Sequence, residues 1–69
     1  MSPQEEIIEI QSRLETVNNA IADAQSRMAT ANEDERRELE ARIAELQQTA
    51  LTFETMLNNL RGSAAANGL

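Results

Sequence analysis

The sequence predicts an all-α protein: a two-helix antiparallel hairpin that dimerises into a four-helix bundle-like assembly. Three observations carry this prediction. Apolar residues recur with a 3,4 alternation in two separate segments. Only two Gly and one Pro occur in 69 residues, and helix-forming Ala, Glu, Leu, Ile, Arg and Gln dominate. The two apolar stripes are also out of phase across a polar stretch, ATANEDERRELEA, which runs from Ala29 to Ala41.

The first helix is expected over about residues 3–30. Its stripe is Ile7, Ile10, Leu14, Val17, Ile21, Ala24, Met28 and Ala31, more than three heptads of coiled-coil spacing. The start is marked by Ser2 as cap, Pro3 at the first helical position and Glu5 three residues after Ser2, the spacing of a capping box.

The second helix is expected over about residues 34–61, with the stripe Leu39, Ile43, Leu46, Ala50, Phe53, Leu57 and Leu60. Its end is expected at Arg61-Gly62, where a cation suits the carbonyl end of the helix dipole and glycine suits a left-handed terminating position. Residues 62–69, GSAAANGL, then read as a flexible tail following a hairpin domain of residues 1–61.

Continued in phase, the first stripe would meet Glu35, Glu38, Arg42, Glu45, Thr49, Thr52, Met56 and Asn59, nearly all polar. A four-residue stutter in one continuous rod accounts for the offset, but its seam would be filled by Ala31 or Asn32 and then Glu35 or Arg36. A corner at about residues 30–34 fits better. Thr30 with Glu33, or Asn32 with Glu35, has capping-box spacing, and Glu33, Asp34 and Glu35 would sit at a positive helix start. Folding there pairs Ala24 with Leu39, Ile21 with Ile43, Val17 with Leu46, Leu14 with Ala50, Ile10 with Phe53 and Ile7 with Leu57. Every stripe residue meets another, and the two alanines face leucines.

The hairpin core is therefore expected to comprise Ile7, Ile10, Leu14, Val17, Ile21, Met28, Leu39, Ile43, Leu46, Phe53, Leu57 and Leu60. A lone pair of helices leaves such stripes open on one side, and its apolar burial falls short of the entropy of ordering the chain. A homodimer of hairpins supplies the rest. Three large apolar residues lie off the stripes: Ile8, Leu51 and Met56. All fall toward the end that carries both termini, as an extension of the dimer core or as a patch for another protein. They are the candidate partner-binding residues.

Charge and composition limit the chemistry. Twelve acidic residues oppose six basic ones, all Arg, for a net charge of -6. Such a balance repels nucleic-acid phosphate and anionic membrane, and a single Phe gives bases almost nothing to stack on. Neither Cys nor His occurs, which removes thiolate nucleophiles, imidazole bases and the usual zinc ligands. The opening MSPQEE has no leader-like character and no run approaches the ~20 apolar residues of a membrane span, so a cytoplasmic protein is expected.

The carboxylate groups Glu5, Glu6 and Glu9, and Glu33, Asp34 and Glu35, have no cleft to separate their acidities and lack the spacing and glycine of a calcium loop. Helix-start electrostatics explain them. Glu9 with Arg13, Asp23 with Arg27, Glu33 with Arg37 and Glu38 with Arg42 are acid-before-base pairs at i,i+4, which support helix. No catalytic, metal or cofactor-binding residue is assigned.

Two functions follow. One is a binding module, a dimeric hairpin that docks on a host protein and inhibits it, with its acidic surface steering the encounter. The other is a structural subunit or assembly chaperone that covers an amphipathic helix of a larger protein.

The whole-chain plan is a short acidic cysteine-free chain with stripes from Ile7 to Met28 and from Leu39 to Leu60 and a tail at Gly62 to Leu69. It resembles the small phage-encoded anti-quorum-sensing proteins of Pseudomonas phages. The resemblance implies a helical dimer that binds a LuxR-type quorum-sensing transcription activator, blocking its action on DNA, and also binds the type IV pilus assembly ATPase, in the host bacterial cytoplasm. Arg without Lys and plentiful Ala are compatible with such a GC-rich genome. The resemblance rests on size and plan, so no binding residue is carried over from it.

Overall fold

A computed structural model describes residues 2–67, with side chains described for residues 2–62. It contains two helices and, among the described residues, no strand: α1, Pro3–Met28, and α2, Glu33–Asn67. They pack against each other along their length, as a hairpin must. The molecule measures 54 × 16 × 14 Å with a radius of gyration of 15.8 Å. A compact domain of this length would have a radius of about 11 Å. The hairpin is thus a rod two helices thick, with no third layer to close its core.

α1 begins as its sequence dictates. The Glu5 backbone N–H donates to Ser2 Oγ at 3.2 Å, Pro3 occupies the first turn, and Glu5 and Glu6 place acid at the positive end of the dipole. At the other end, Ala29 N–H reaches Ser26 O at 3.4 Å and Thr30 N–H reaches Arg27 O at 3.3 Å. These i→i+3 bonds tighten the last turn and use up carbonyls that the helix leaves unpaired. α1 therefore stops at Met28, two residues short of the expected end at Thr30.

The corner occupies residues 29–32 and contains no glycine; no described residue has a positive φ. Of the two pairs with capping-box spacing the chain uses Asn32 with Glu35, the carboxylate being held by the Asn32 side chain and not by its backbone N–H. Asn32 Oδ1 accepts from the Glu35 N–H at 2.9 Å, Asn32 Nδ2 donates to Glu35 Oε1 at 2.7 Å, and the Arg36 N–H bonds to Asn32 O at 2.9 Å. One side chain thus serves as acceptor and donor at once, which the hydroxyl of Thr30 does less well.

α2 departs from expectation at its end. It does not stop at Arg61-Gly62 but runs to Asn67, and Gly62 is not in the left-handed conformation. The reason lies in the following residues. Glycine costs a helix interior only about 1 kcal/mol relative to alanine, and Ser63 is followed by Ala64, Ala65 and Ala66, the best helix formers. Residues 62–67 are therefore helical rather than the start of a tail; Gly68 and Leu69 lie outside the described residues. With 35 residues against 26, α2 outruns α1 and its last turns have no helix opposite. A Cβ added at Gly62 would accordingly find nothing within 4 Å.

The core follows the stripes. Ile10, Ala24, Ala50 and Leu57 are buried, and each lies on a predicted stripe. Alanine at positions 24 and 50 lets the helices close tightly there. Every other stripe residue from Ile7 to Leu60 is only half-buried, and no described side chain is fully enclosed. The packing is antiparallel: paired across the molecule, Ile10 shares a depression with Met56, Leu14 with Leu57, Ile21 with Ala50 and Ala24 with Leu39.

Candidate protein-binding surface

Of the twelve large residues expected to form the core, Ile10 and Leu57 are buried by the hairpin itself. The other ten, Ile7, Leu14, Val17, Ile21, Met28, Leu39, Ile43, Leu46, Phe53 and Leu60, keep part of their surface in water. The surface area of the chain is 5180 Å², against about 4,300 Å² for a compact monomer of this mass. The excess, about 900 Å², is close to what one partner contributes to a standard protein interface, about 800 Å².

Depressions lie on two faces, one on each side of the helix pair, and of the half-covered residues Leu14, Ile21 and Leu39 line them. On the first, Leu14 and Leu57 line a depression with Gln11, Asn18, Glu54 and Arg61. Ile21, Ala50 and Leu51 line its continuation with Asn18, Gln47 and Glu54. On the second, Ala24 and Leu39 lie among Asp23, Arg27 and Arg42, with Glu35 and Glu38 near the corner. Ile10 and Met56 lie among Glu6, Glu9 and Arg13 farther along.

The three off-stripe residues are the most exposed large apolar side chains: Ile8 at 64%, Leu51 at 56% and Met56 at 42%. They do not make a single patch. Leu51 and Met56 are five residues apart on one helix, a rotation of about 140°, and they line depressions on opposite faces. Ile8 stands one position after Ile7, a rotation of about 100° away from the stripe, and lines none of these depressions. Leu51 sits by Asn18 and Ile21 and Met56 by Glu6, Glu9 and Ile10, so level as well as direction separates them.

A feature that stripe counting passes over is a row of amides in α1. Gln4, Gln11, Asn18 and Gln25 recur every seven residues, all exposed, and therefore form one line along the helix beside the first face. The signal was available as a heptad-phased absence of charge. The second face carries the ion pairs. Arg13 Nη2 lies 2.8 Å from Glu9 Oε1, and Arg27 Nε lies 3.1 Å from Asp23 Oδ2. All four side chains are largely exposed, so these pairs contribute little to stability. No such contact forms between Glu33 and Arg37 or between Glu38 and Arg42.

Among the described residues no polar or charged side chain is buried, and no three acidic side chains converge as metal ligands. The acidic first turns serve the helix starts, and the Glu35 carboxylate is engaged with Asn32. No described helix is long and apolar enough to cross a membrane.

Comparison of the chain with protein families, with curated proteins and with solved structures finds no match.

Proposed function

We propose that this chain is a non-enzymatic, protein-binding inhibitor that works as a homodimer of hairpins and docks on a regulatory protein of a bacterial host. The observation that carries this reading is the half-covered state of ten large core residues on a rod only two helices thick. Such a molecule has more apolar surface than it can cover alone, and among the described residues no polar or charged side chain is buried. One face covered by a second copy leaves another for a target.

The targets come from the resemblance to the phage anti-quorum-sensing proteins: a LuxR-type transcription activator and the type IV pilus assembly ATPase. The net charge of -6 is compatible with the first. A DNA-binding surface is basic, and an acidic rod with apolar anchors is attracted to it and competes with the nucleic acid. The protein would act in the cytoplasm.

The test is direct. Purified chain is titrated into a LuxR-type activator bound to its operator DNA, and separately into the pilus ATPase, with DNA release and ATP turnover as readouts. Loss of DNA binding at stoichiometric inhibitor supports the proposal. No effect on either target at tens of micromolar overturns the target assignment. Stoichiometric recovery from lysate of only an assembling structural protein would replace inhibition with the chaperone role.

A further inference from the structure

The two faces of the hairpin differ in a way that divides their labour. We propose that the amide-lined face, built on Leu14, Ile21, Ala50 and Leu57, is the one that a second copy of this chain covers, and that the charge-lined face stays free in the dimer. The inference rests on the dimeric reading above and says which surface the dimer uses.

Charge is the first argument. Each chain carries a net charge of -6, so two copies repel, and they meet at lowest cost where charge is sparse. The depressions of the first face are lined by only three charged residues, Glu15, Glu54 and Arg61. Those of the second are lined by eight, among them both side-chain ion pairs. Covering the second face would bury Met56 and Leu39 but would desolvate those exposed charges with them.

Apolar surface is the second argument. Leu51, at 56% exposure, lines the first face. A second hairpin laid there would bury Leu51 along with the half-covered Leu14 and Ile21. The amides at Gln11 and Asn18 are suited to such a seam because they bond across it as donor or acceptor without carrying charge.

The division also assigns Met56. It lies on the charge-lined face among Glu6, Glu9 and Arg13, where a partner other than a second copy would meet it.

The experiment compares one added charge on each face. Asn18→Glu places a carboxylate in the first face at an exposed position, and Ala20→Glu places one beside Asp23 and Arg42 in the second. Sedimentation equilibrium reads the dimer dissociation constant, and circular dichroism reads helix. Asn18→Glu is expected to weaken dimerisation at least about tenfold, as like charges brought together at an interface do. Ala20→Glu is expected to leave it within about twofold. Asn18→Gln, which keeps an uncharged amide, is expected to dimerise as the parent does, which separates the effect of charge from that of a changed side chain.

If Ala20→Glu dissociates the dimer and Asn18→Glu does not, the assignment of faces is reversed and the inference fails. Equal effects of the two charge substitutions, or an equal loss with Asn18→Gln, also overturn it. A wild-type chain that is monomeric in the same experiment overturns the dimeric reading itself, which separates that failure from this one.

Discussion

Replacing Asn32 by alanine tests the corner in a way that changes sign with the architecture. Asn32 accepts from the Glu35 N–H at 2.9 Å and donates to the Glu35 carboxylate at 2.7 Å, both in an exposed setting. Loss of an Asn cap costs about 0.5–2 kcal/mol, centred near 1. A destabilisation of 1 kcal/mol lowers Tm by about 4–8 °C in a domain of this size. A dimer has two corners but twice the unfolding entropy, so the expected shift is unchanged. In a continuous rod Asn32 would be an interior helical residue, and alanine there would stabilise by about 0.6 kcal/mol. The assay is thermal unfolding followed by circular dichroism at fixed chain concentration, with Thr30→Ala as control, because no cap bond from the Thr30 side chain forms. Asn32→Ala is expected to melt several degrees lower and Thr30→Ala within about 3 °C of the parent, as surface substitutions do. A rise in Tm for Asn32→Ala, or an equal loss for Thr30→Ala, would refute the corner described.

Three other substitutions probe separate parts of the fold. Leu57→Ala removes a side chain that is 4% exposed and is expected to cost about 2–5 kcal/mol in chemical denaturation, whereas Met56→Ala, one residue earlier, should change stability by about 0.5 kcal/mol or less. Gly62→Ala is expected to raise helix content and stabilise by about 0.5–1 kcal/mol, because the position is helical and open; a left-handed cap would instead lose stability. Thr55→Ala frees the Leu51 carbonyl from a 2.9 Å side-chain bond and should stabilise α2 by a few tenths of a kcal/mol, with an ordinary melting curve as the check.

The residues that announced the fold are those whose signal is local. Ser2 and Asn32 reveal helix starts because a cap needs only its own side chain and the next three residues. The stripes from Ile7 to Met28 and from Leu39 to Leu60 reveal buried faces because their phase is a property of the helix alone, and the break in that phase located the corner within a few residues. The end of α2 was less legible, since Gly62 signals a stop while the alanines after it favour helix, and the balance is about 1 kcal/mol. The grouping of Ile8, Leu51 and Met56 came from their level along the rod; the angle between Leu51 and Met56, equally present in their spacing, puts them on opposite faces. A binding partner is a different matter, because the complementarity that selects it lies half on another molecule.

The hairpin is proposed to be half of a working unit. Sedimentation equilibrium at micromolar concentration tests it most directly, with helix content followed across the same dilution series. A dimer of hairpins has a mass twice the 7.6 kDa of the chain, and its helicity is expected to fall as dilution drives dissociation. A species of 7.6 kDa that remains fully helical at every concentration would contradict it.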